Sequence, residues 1–456
     1  MAINNSKVKT PIKTQNINER ISNFNEIVLG YSKEEAIIEA SRCLNCKNPT
    51  CTSGCPASNN IPLFIKYIKE DDLEAAYSTI RLTSNMPEIC SRVCDQRKQC
   101  EGKCIRAKNG EAVAIGKLER YICDNFSKNA AKPQYFSKKV AIIGSGPAGL
   151  SCAEELNSLG CEVTVLEQKD KFGGLLTYGI PNYRLPYNIV ENKIEKLKLQ
   201  GVKFKNNTIF GKDFTLNDLK EKGFSAIFIA VGASKPKFMH IPGENLTNFL
   251  TSEKVLENIS SFSKRNDNSN NPILYGKIAV IGGGNSAIDV ARSAIRLKEV
   301  ESVDIIYRRT KEDMPASVSE VEEAIAEGVK LNTLTNPVEI LSNEDKKVSG
   351  LRCVKMYQVE VGSDGRKGVK PIINSEFERE FDFVIYAIGN DCENYLSEIN
   401  EIEVTKRNSI IVDDSGQTTK DPSIFAAGDV VTGPATVVQA MSNGKKCAAK
   451  ILYYLK

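Results

Sequence analysis

The stretch Val140-Ala-Ile-Ile-Gly144-Ser-Gly146-Pro-Ala-Gly149 decides the fold of this chain. Four apolar residues, typical of a buried strand, run directly into three glycines with the spacing G-x-G-x-x-G. A helix is predicted to follow through Leu156, and the next strand, over 161–166, ends on Glu167. The glycines allow a tight turn and bring a pyrophosphate close to the N-terminus of the helix, and Glu167 is placed to accept hydrogen bonds from ribose hydroxyls. The predicted loop positions that bind the cofactor are Gly144, Ser145, Gly146, Pro147, Ala148 and Gly149.

A second copy of this unit is Ile278-Ala-Val-Ile-Gly282-Gly-Gly284-Asn-Ser-Ala287, with a predicted helix over 288–297. Its next strand, over 303–307, ends on Arg308 and Arg309 instead of an acid. Because arginine pairs with a 2′-phosphate that a carboxylate would repel, this site is predicted to bind NADP(H), which leaves FAD for the first site. The predicted binding positions of the second unit are Gly282, Gly283, Gly284, Asn285, Ser286, Ala287, Arg308 and Arg309.

The regions on either side of the first glycine loop differ in character. From Lys139 onward, short β-branched strands alternate with helical stretches, which is typical of α/β folds with parallel sheets. Before it the pattern is helical: Ser32 and Glu35 form a capping box, and 62–80 has the periodicity of one or two helices. A further helix is predicted from about 114 to 126.

Three segments of the sequence are predicted to lie outside regular elements. Residues 1–30 are polar and are expected to form a tail. The stretch 127–138, with Pro133, is predicted to be a linker, and the polar stretch 260–271 a surface loop.

Length and composition bound the class of protein. The 456 residues suffice for about three domains. With 61 basic and 57 acidic residues, the net charge of +4 does not indicate nucleic-acid binding, and no apolar run is long enough for a membrane span. We therefore expect a cytoplasmic protein. His240 is the one histidine, which argues against His-ligated metal sites and against Ser–His nucleophilic catalysis, so no catalytic side chain is predicted.

Eight of the fourteen cysteines lie in two groups, and they indicate metal or redox chemistry rather than a disulfide framework. The groups are Cys43-x2-Cys46-x4-Cys51-x3-Cys55-Pro56 and Cys90-x3-Cys94-x5-Cys100-x3-Cys104. Zinc sites usually use paired Cys-x2-Cys hooks, and only one such pair occurs here.

Unequal gaps that end in Cys-Pro are more typical of cubane iron–sulfur clusters. In two-cluster ferredoxins the cysteine before the proline binds the other cluster, so Cys55 is expected to cross over. One cluster would then take Cys43, Cys46 and Cys51, with its fourth ligand from the second group. A thiol–disulfide reductase would need a cysteine pair beside its flavin, and the positions of Cys152 and Cys161 do not suggest one.

Over nearly its whole length the chain resembles a known family. This family includes the small subunit of NADPH-dependent glutamate synthase, the large subunit of the NADH-dependent reduced-ferredoxin:NADP oxidoreductase and the N-terminal half of dihydropyrimidine dehydrogenase. Besides the two glycine loops, the motifs that carry the resemblance are RCLNC, CSRVCDQRKQCEGKC, IGKLERY, GGLLTYGIPNYRLP, YRRTKEDMPA and IFAAGDVVTGPATVVQAM.

The fold that we predict is a helical iron–sulfur domain followed by two Rossmann-like nucleotide-binding domains of the glutathione-reductase type. The helical domain covers 1–130 and carries two [4Fe-4S] clusters. The FAD domain covers 139–250 and 391–456, and the NADP(H) domain, 251–390, is inserted in it.

The resemblance implies further site residues. The residues that it places near FAD are Gly173, Gly174, Leu175, Arg184, Gly428, Asp429, Thr436 and Val437. It also implies a return strand that ends at Gly389 beside the nicotinamide domain. Cys104 completes the first cluster. The second cluster takes Cys55, Cys94 and Cys100, and its fourth ligand is Glu119 of IGKLERY or, alternatively, Cys90.

The resemblance implies an oxidoreductase in which electrons pass from NADPH through FAD and two [4Fe-4S] clusters to a partner protein. The partner would be the large subunit of glutamate synthase. Alternatively, the chain is the FAD subunit of an electron-bifurcating, ferredoxin-dependent NAD(H)/NADP(H) transhydrogenase, with a small ferredoxin-reductase-like subunit or ferredoxin itself as the acceptor. A third possibility is a redox-sensing flavoprotein without turnover.

Overall fold

The computed structural model describes residues 3–128, 133–134, 138–265, 274–361 and 367–456. Most of the predicted linker 127–138 and the end of the predicted loop 260–271 lie outside the described residues.

The N-terminal region is mainly helical, as predicted. In chain order its elements are β1 (Lys13–Thr14), α1 (Ile17–Arg20), β2 (Val28–Gly30), α2 (Lys33–Ala40), α3 (Thr50–Ser53), α4 (Ile61–Lys69), α5 (Leu73–Arg81), α6 (Pro87–Val93) and α7 (Ile115–Asn125), with two 3₁₀ turns at Glu101–Lys103 and Ile105–Lys108. The capping box of Ser32 and Glu35 begins α2, and Asp72 caps α5. The periodic stretch over 62–80 therefore folds as two helices, which pack their apolar faces on α7.

The prediction of an N-terminal tail over 1–30 is wrong for 3–30, the part of it that the structure describes. The backbone N–H of Thr10 donates to the Glu39 carboxylate at 2.7 Å. The side chain of Arg20 is buried and pairs with Glu327 at 2.9 Å. These partners lie far away in the sequence, so the local composition of the segment carried no sign of them.

The first nucleotide-binding unit is built on a parallel sheet. Its elements are β3 (Lys139–Ile143), α8 (Pro147–Ser158), β4 (Glu162–Leu166), α9 (Leu175–Tyr178), α10 (Tyr187–Leu199), β5 (Lys203–Lys205), α11 (Leu216–Glu221), β6 (Ala226–Ile229) and β7 (Lys235–Pro236). Four strands pair in the order β6-β3-β4-β5. All four residues of β6 are buried, as expected for a strand covered on both faces.

The second unit combines a parallel sheet with an antiparallel one. Its elements are β8 (Phe249–Thr251), α12 (Ser252–Arg265), β9 (Gly276–Ile281), α13 (Asn285–Ala294), β10 (Val300–Ile306), a 3₁₀ turn at Lys311–Asp313, α14 (Val318–Ala326), β11 (Lys330–Asn332), β12 (Thr335–Ser342), β13 (Val348–Val361), β14 (Lys367–Pro371), β15 (Phe377–Glu380) and β16 (Phe383–Tyr386). The parallel order is β11-β10-β9-β16-β8, and β13 pairs with β12, β14 and β15. Helix α12 continues through Arg265, so the predicted loop is wrong for 260–265.

The chain then returns to the first unit through β17 (Asn390–Asp391), a 3₁₀ turn at Asn394–Glu398, β18 (Ile424–Ala426), α15 (Asp429–Thr432) and α16 (Val437–Leu455). Strand β18 pairs with β6 and completes a five-stranded sheet, while β17 pairs with β7 where the chain crosses between the units. The second unit is therefore inserted in the first, and the predicted fold class is confirmed. Among the described residues, no helix is long and apolar enough to cross a membrane.

The helical region packs directly on the first unit. Met86, Ile89 and Cys90 are buried in the same apolar core as Leu150 of α8. Cys55 contacts this core and also the core of the helical region. Cys55, Cys90 and Cys94 therefore lie at the contact between the helical region and the first unit.

Candidate functional site

The first glycine loop has the geometry that a pyrophosphate needs. Gly144 follows β3 with φ +103°, and a Cβ there would lie 2.4 Å from the carbonyl oxygen of Ala230. Apart from Gly146 itself and the chain next to it, no atom of the described residues lies within 4 Å of the position that a Cβ would take on Gly146, where α8 begins. The loop can therefore bring backbone N–H groups close to an anion at the helix N-terminus.

Glu167 fixes this loop through hydrogen bonds to its carboxylate. Its carboxylate accepts hydrogen bonds from the backbone N–H of Ser145 at 3.0 Å, from the Ser145 hydroxyl, and from the backbone N–H of Lys169 at 2.9 Å. The Ser145 hydroxyl in turn accepts from the N–H of Gly173 at 2.9 Å. Glu167 thus connects the loop to the GGLL segment, and its contact with the ribose stays a prediction.

Three predicted segments meet around the start of α8. A Cβ on Gly174, where φ is +53°, would lie 3.0 Å from Cα of Gly146. A Cβ on Gly428 would lie 2.9 Å from Cβ of Ala148. Only glycine leaves this space open, which fits a cradle for a large cofactor such as FAD. Leu175 follows Gly174 and is exposed at the start of α9.

The C-terminal helices add charge and a helix N-terminus to this cradle. Asp429 follows Gly428 and accepts a hydrogen bond from the N–H of Ala435 at 3.2 Å, and burial raises the pKa of its carboxyl to about 6. Thr436 caps α16, which begins at Val437. Gly428 and Gly444 thus contact Ala148 at the start of α8, and the FAD contacts of Asp429, Thr436 and Val437 stay predictions.

Arg184 has a partner that the sequence did not indicate. Its guanidinium donates to both carboxylate oxygens of Asp289, each at 2.7 Å, and both side chains are largely buried. Asp289 belongs to α13 of the second unit. Burial raises the pKa of Asp289, and the Arg184 charge opposes this effect. Arg184 therefore bridges the two nucleotide-binding units, and its contact with FAD stays a prediction.

The second glycine loop is built like the first. Gly282 follows β9 with φ +145°, and a Cβ there would lie 2.2 Å from the carbonyl oxygen of Ala387. Asn285 and Ser286 are exposed at the start of α13, whereas Ala287 is buried. The remaining predicted residues of this loop, Gly283 and Gly284, lie between β9 and α13. Gly389, predicted in a separate segment, is exposed and follows β16.

The two predicted arginines follow β10 at the same edge of the sheet. Arg308 is exposed, and Arg309 is half-buried. The Nε of Arg309 donates to the carbonyl oxygen of Lys367 in β14 at 3.0 Å. Cations at the end of the second strand are well placed for a 2′-phosphate.

The thiols of Cys43, Cys46, Cys51 and Cys104 are electrostatic neighbours. Burial is the main cause that raises the pKa of Cys51 to about 11, followed by the proximity of Cys104 and Cys43. Thr50, beside Cys51, donates to the carbonyl of Lys103, beside Cys104. The structure thus brings together the four residues predicted for one cluster.

The second set surrounds Glu119. Cys94 forms a hydrogen bond with Cys90 that, together with burial, raises the pKa of Cys94, and Glu119 and Cys100 add to this effect. Burial and the nearby Glu119 also raise the pKa of Cys55. The structure therefore brings Cys55, Cys94, Cys100, Cys90 and Glu119 together.

Glu119 itself is a buried acid without compensation. Its Oε1 has no hydrogen-bond partner among the described residues, and burial, with a contribution from Glu88, raises its pKa to about 8. A buried unpaired carboxylate is costly unless a cation or metal binds it. This observation fits a ligand role.

No three His, Cys, Asp or Glu side chains of the described segments converge on the position of a single metal ion. In a [4Fe-4S] cluster each ligand binds a different iron, so the ligands surround the cluster instead of converging. The two groupings of thiols are compatible with that arrangement.

Two features of the site were missed in the sequence. Asp289 lies on the buried face of α13, and its partner, Arg184, is too distant for any local pattern to indicate. The other feature is the strand β6, which ends before Gly232 in the first unit just as β16 ends before Gly389 in the second; φ is +76° at Gly232 and +97° at Gly389. The match between Ala230-Val-Gly232 and Ala387-Ile-Gly389 was a signal in the sequence that could have located β6 as a return strand.

Comparison with known proteins agrees with this geometry. Residues 138–444 match the family model described as pyridine nucleotide-disulphide oxidoreductase. The chain belongs to this family. Residues 20–131 match dihydropyrimidine dehydrogenase domain II, 4Fe-4S cluster.

The glutamate synthase [NADPH] small chain of Azospirillum brasilense is 37% identical over 454 residues, which cover 96% of this chain and 93% of that one. The NADP(+)-dependent formate dehydrogenase subunit beta of Moorella thermoacetica is 36% identical, over 89% of this chain and 60% of that one. Mycobacterium tuberculosis FprA in complex with NADPH has a similar fold, with a TM-score of 0.59 at 18% identity over 71% of this chain and 85% of that one.

The predicted resemblance to glutamate synthase small chains is confirmed. The protein is an NAD(P)H-dependent oxidoreductase, with a flavin- and NADP-binding fold and a 4Fe-4S domain.

Proposed function

We propose that this chain carries electrons from NADPH through FAD and two [4Fe-4S] clusters to a partner protein, as the small subunit of a glutamate synthase. When bound, FAD accepts hydride from NADPH and releases the two electrons singly, which lets one-electron carriers receive them. The role of the protein is to hold these groups in order along one route.

The observation that carries the proposal is the position of α16. A Cβ on Gly444 of this helix would lie 2.2 Å from the carbonyl oxygen of Ala148 in the first turn of α8, and the helix cap, Thr436, is one of the predicted FAD contacts. Ser442, six residues further along, donates to the carbonyl of Pro56 at 3.2 Å. Six residues of helix rise by about 9 Å, so the backbone next to Cys55 lies close to the cradle.

The packing of the cysteine groups supports one direction of electron transfer. Cys55, Cys90 and Cys94 pack against the core of the first unit, whereas Cys43, Cys51 and Cys104 pack only in the core of the helical region. This arrangement supports an order in which the cluster at Cys55, Cys94 and Cys100 receives electrons first. The cluster at Cys43, Cys46, Cys51 and Cys104 would then pass them to the partner.

Substitution of Cys55 tests this route. In anaerobic stopped-flow experiments, NADPH should bleach the flavin of Cys55→Ser at the wild-type rate, but cluster signals in rapid-freeze EPR should no longer develop. Cys353→Ala, a change at a buried cysteine of β13 far from both groups, is the control and should behave as wild type. Normal cluster reduction in Cys55→Ser would refute the route.

The identity of the partner is a separate part of the proposal. Anaerobic affinity purification of the tagged chain from its native cells should recover a large amidotransferase-type flavoprotein. Recovery of a small ferredoxin-reductase-like subunit would instead establish the transhydrogenase alternative. That alternative is compatible with the match to a formate dehydrogenase subunit, which is a relative named for an enzyme other than glutamate synthase.

A further inference from the structure

Strands β13 and β14 form an arm that no part of the proposed electron route uses. The first half of β13 pairs with β12 and β15, whereas Met356 to Val361 pair with β14. We call Met356–Val361 and Lys367–Pro371 together the hairpin arm. The arm lies against the turn that follows β10, which contains Arg308 and Arg309.

Backbone groups connect the arm to Arg309 at two points. The Arg309 Nε donates to the carbonyl oxygen of Lys367 at 3.0 Å. The carbonyl oxygen of Arg309 accepts from the N–H of Leu334 at 3.1 Å, and the carbonyl of Leu334 accepts from the N–H of Met356 at 2.8 Å. The main chain and the side chain of Arg309 are therefore both fixed relative to the arm.

Gln358 joins the arm to the rest of the turn. Its Nε2 donates to the carboxylate of Asp313 at 2.9 Å and lies 3.4 Å from the Thr310 hydroxyl, which also donates to Asp313 at 2.8 Å. Its Oε1 accepts from Lys367 Nζ at 3.3 Å. A carboxylate beside a 2′-phosphate would repel it. Gln358 and Thr310 both donate to the carboxylate of Asp313 and hold it within the turn, which favours the binding of an anion at the arginines.

We propose that the hairpin arm is a specificity element of the nucleotide site, and that Gln358 is a positioning residue for the 2′-phosphate of NADP(H). This inference rests on the proposed function, in which NADPH is the electron donor, and on the prediction that Arg308 and Arg309 bind its 2′-phosphate. Through Asp313 and Lys367, Gln358 fixes the turn, so that Arg309 loses little conformational freedom when the phosphate binds.

The test compares two ligands that differ only in this phosphate. The affinities of the holoenzyme for adenosine 2′,5′-bisphosphate and for 5′-AMP are measured by calorimetry for wild type, Gln358→Ala and Gln358→Glu. Tyr357→Ala, a change at the neighbouring exposed residue of the same strand, is the control. Loss of the Gln358 bonds should weaken the bisphosphate about tenfold, leave 5′-AMP within about twofold, and raise KM for NADPH with little change in kcat.

Gln358→Glu should lose at least as much, because its carboxylate would face Asp313. Equal weakening of both ligands would mean that the arm only supports the fold, and unchanged binding of the bisphosphate would mean that the arm does nothing for specificity. Either result would overturn the inference.

The double variant Arg308→Ala with Arg309→Ala separates this inference from the proposed function. If the double variant loses the bisphosphate while Gln358→Ala binds it normally, the role of the arm is refuted and the NADP(H) site stands. If the double variant binds the bisphosphate as wild type does, the proposed 2′-phosphate site is refuted, and the arm inference fails with it.

Discussion

Glu327 lies at the junction of the three regions of the chain, and replacing it with glutamine should loosen that junction. Its carboxylate accepts from Arg292 at 2.7 and 2.9 Å and from Arg296 at 2.8 and 3.0 Å, and pairs with Arg20 of the N-terminal segment at 2.9 Å. The guanidinium of Arg296 lies 4.2 Å from the ring centroid of Tyr183 in the first unit. The carboxylate therefore joins elements of all three regions.

The magnitude follows from the pKa of Glu327. Burial alone would raise it, but the hydrogen bonds from Arg292 and Arg296 outweigh burial and lower the pKa from 4.5 to about 2. Since one pKa unit corresponds to about 1.4 kcal/mol, the ionised group stabilises the fold by about 3 kcal/mol at neutral pH. Removal of one partner of a buried ion pair costs a similar amount, about 3–5 kcal/mol.

Thermal unfolding of the anaerobic holoenzyme measures this loss. Glu327→Gln should lower the unfolding temperature by about 6 °C. The control Glu323→Gln removes a more exposed acid that also pairs with Arg292 and lies in α14, the helix that ends just before Glu327, and it should lower the unfolding temperature by no more than about 2 °C. Equal unfolding temperatures for the two variants would refute the reasoning.

The pH dependence supplies a second check. Because the folded pKa is depressed, the stabilisation is complete above about pH 4.5 and is lost only as the pH falls towards about 2. The difference between wild type and Glu327→Gln should therefore be the same at pH 8 and pH 6. A difference that shrinks over this range would show that the pKa of Glu327 is not depressed.

Two further predictions concern the FAD cradle. Gly174→Ala should sharply reduce the flavin bound per chain, measured by absorbance, because Gly174 has φ +53° and a Cβ there would meet Gly146. The control Gly223→Ala is also at positive φ, but its Cβ would have no neighbours within 4 Å in the described structure, so this variant should retain its flavin. Asp429→Asn should stabilise the flavin-free protein at pH 8 by about 2–3 kcal/mol, because burial raises the pKa of Asp429 from 3.8 to about 6 and its ionised form is costly. The gain should be smaller at pH 5, where the folded state is mostly protonated, and equal gains at both pH values in thermal unfolding would contradict this.

The glycine loops could be predicted because their function is encoded locally. Gly144 and Gly282 each follow a strand and precede a helix, and these neighbours are adjacent in the sequence. The cysteine groups were also recognisable, because spacing and the Cys55-Pro56 pair limit the chemistry before any fold is known.

The remaining features depend on contacts between distant segments. The segment that contains Arg20 lacks the periodicity of a helix core, and its burial depends on Glu327, some three hundred residues away. Arg184 was predicted from its motif, but its bond to Asp289 requires the relative placement of two domains. Likewise, Gln358 lies in an ordinary strand, and its bond to Asp313 depends on the packing of β13 against the turn that follows β10.

The late arrival of β18 has a consequence for synthesis of the protein. Strand β6 pairs with β18 at one edge, but residues 230–423 must be made before that partner emerges. At about 5–20 residues per second, the ribosome needs roughly 10–40 s for this stretch. During that interval the buried sequence Ala-Ile-Phe-Ile of β6 presents an open strand edge, a known starting point for aggregation. The nascent chain is therefore most in need of a chaperone while its second nucleotide-binding unit is being translated.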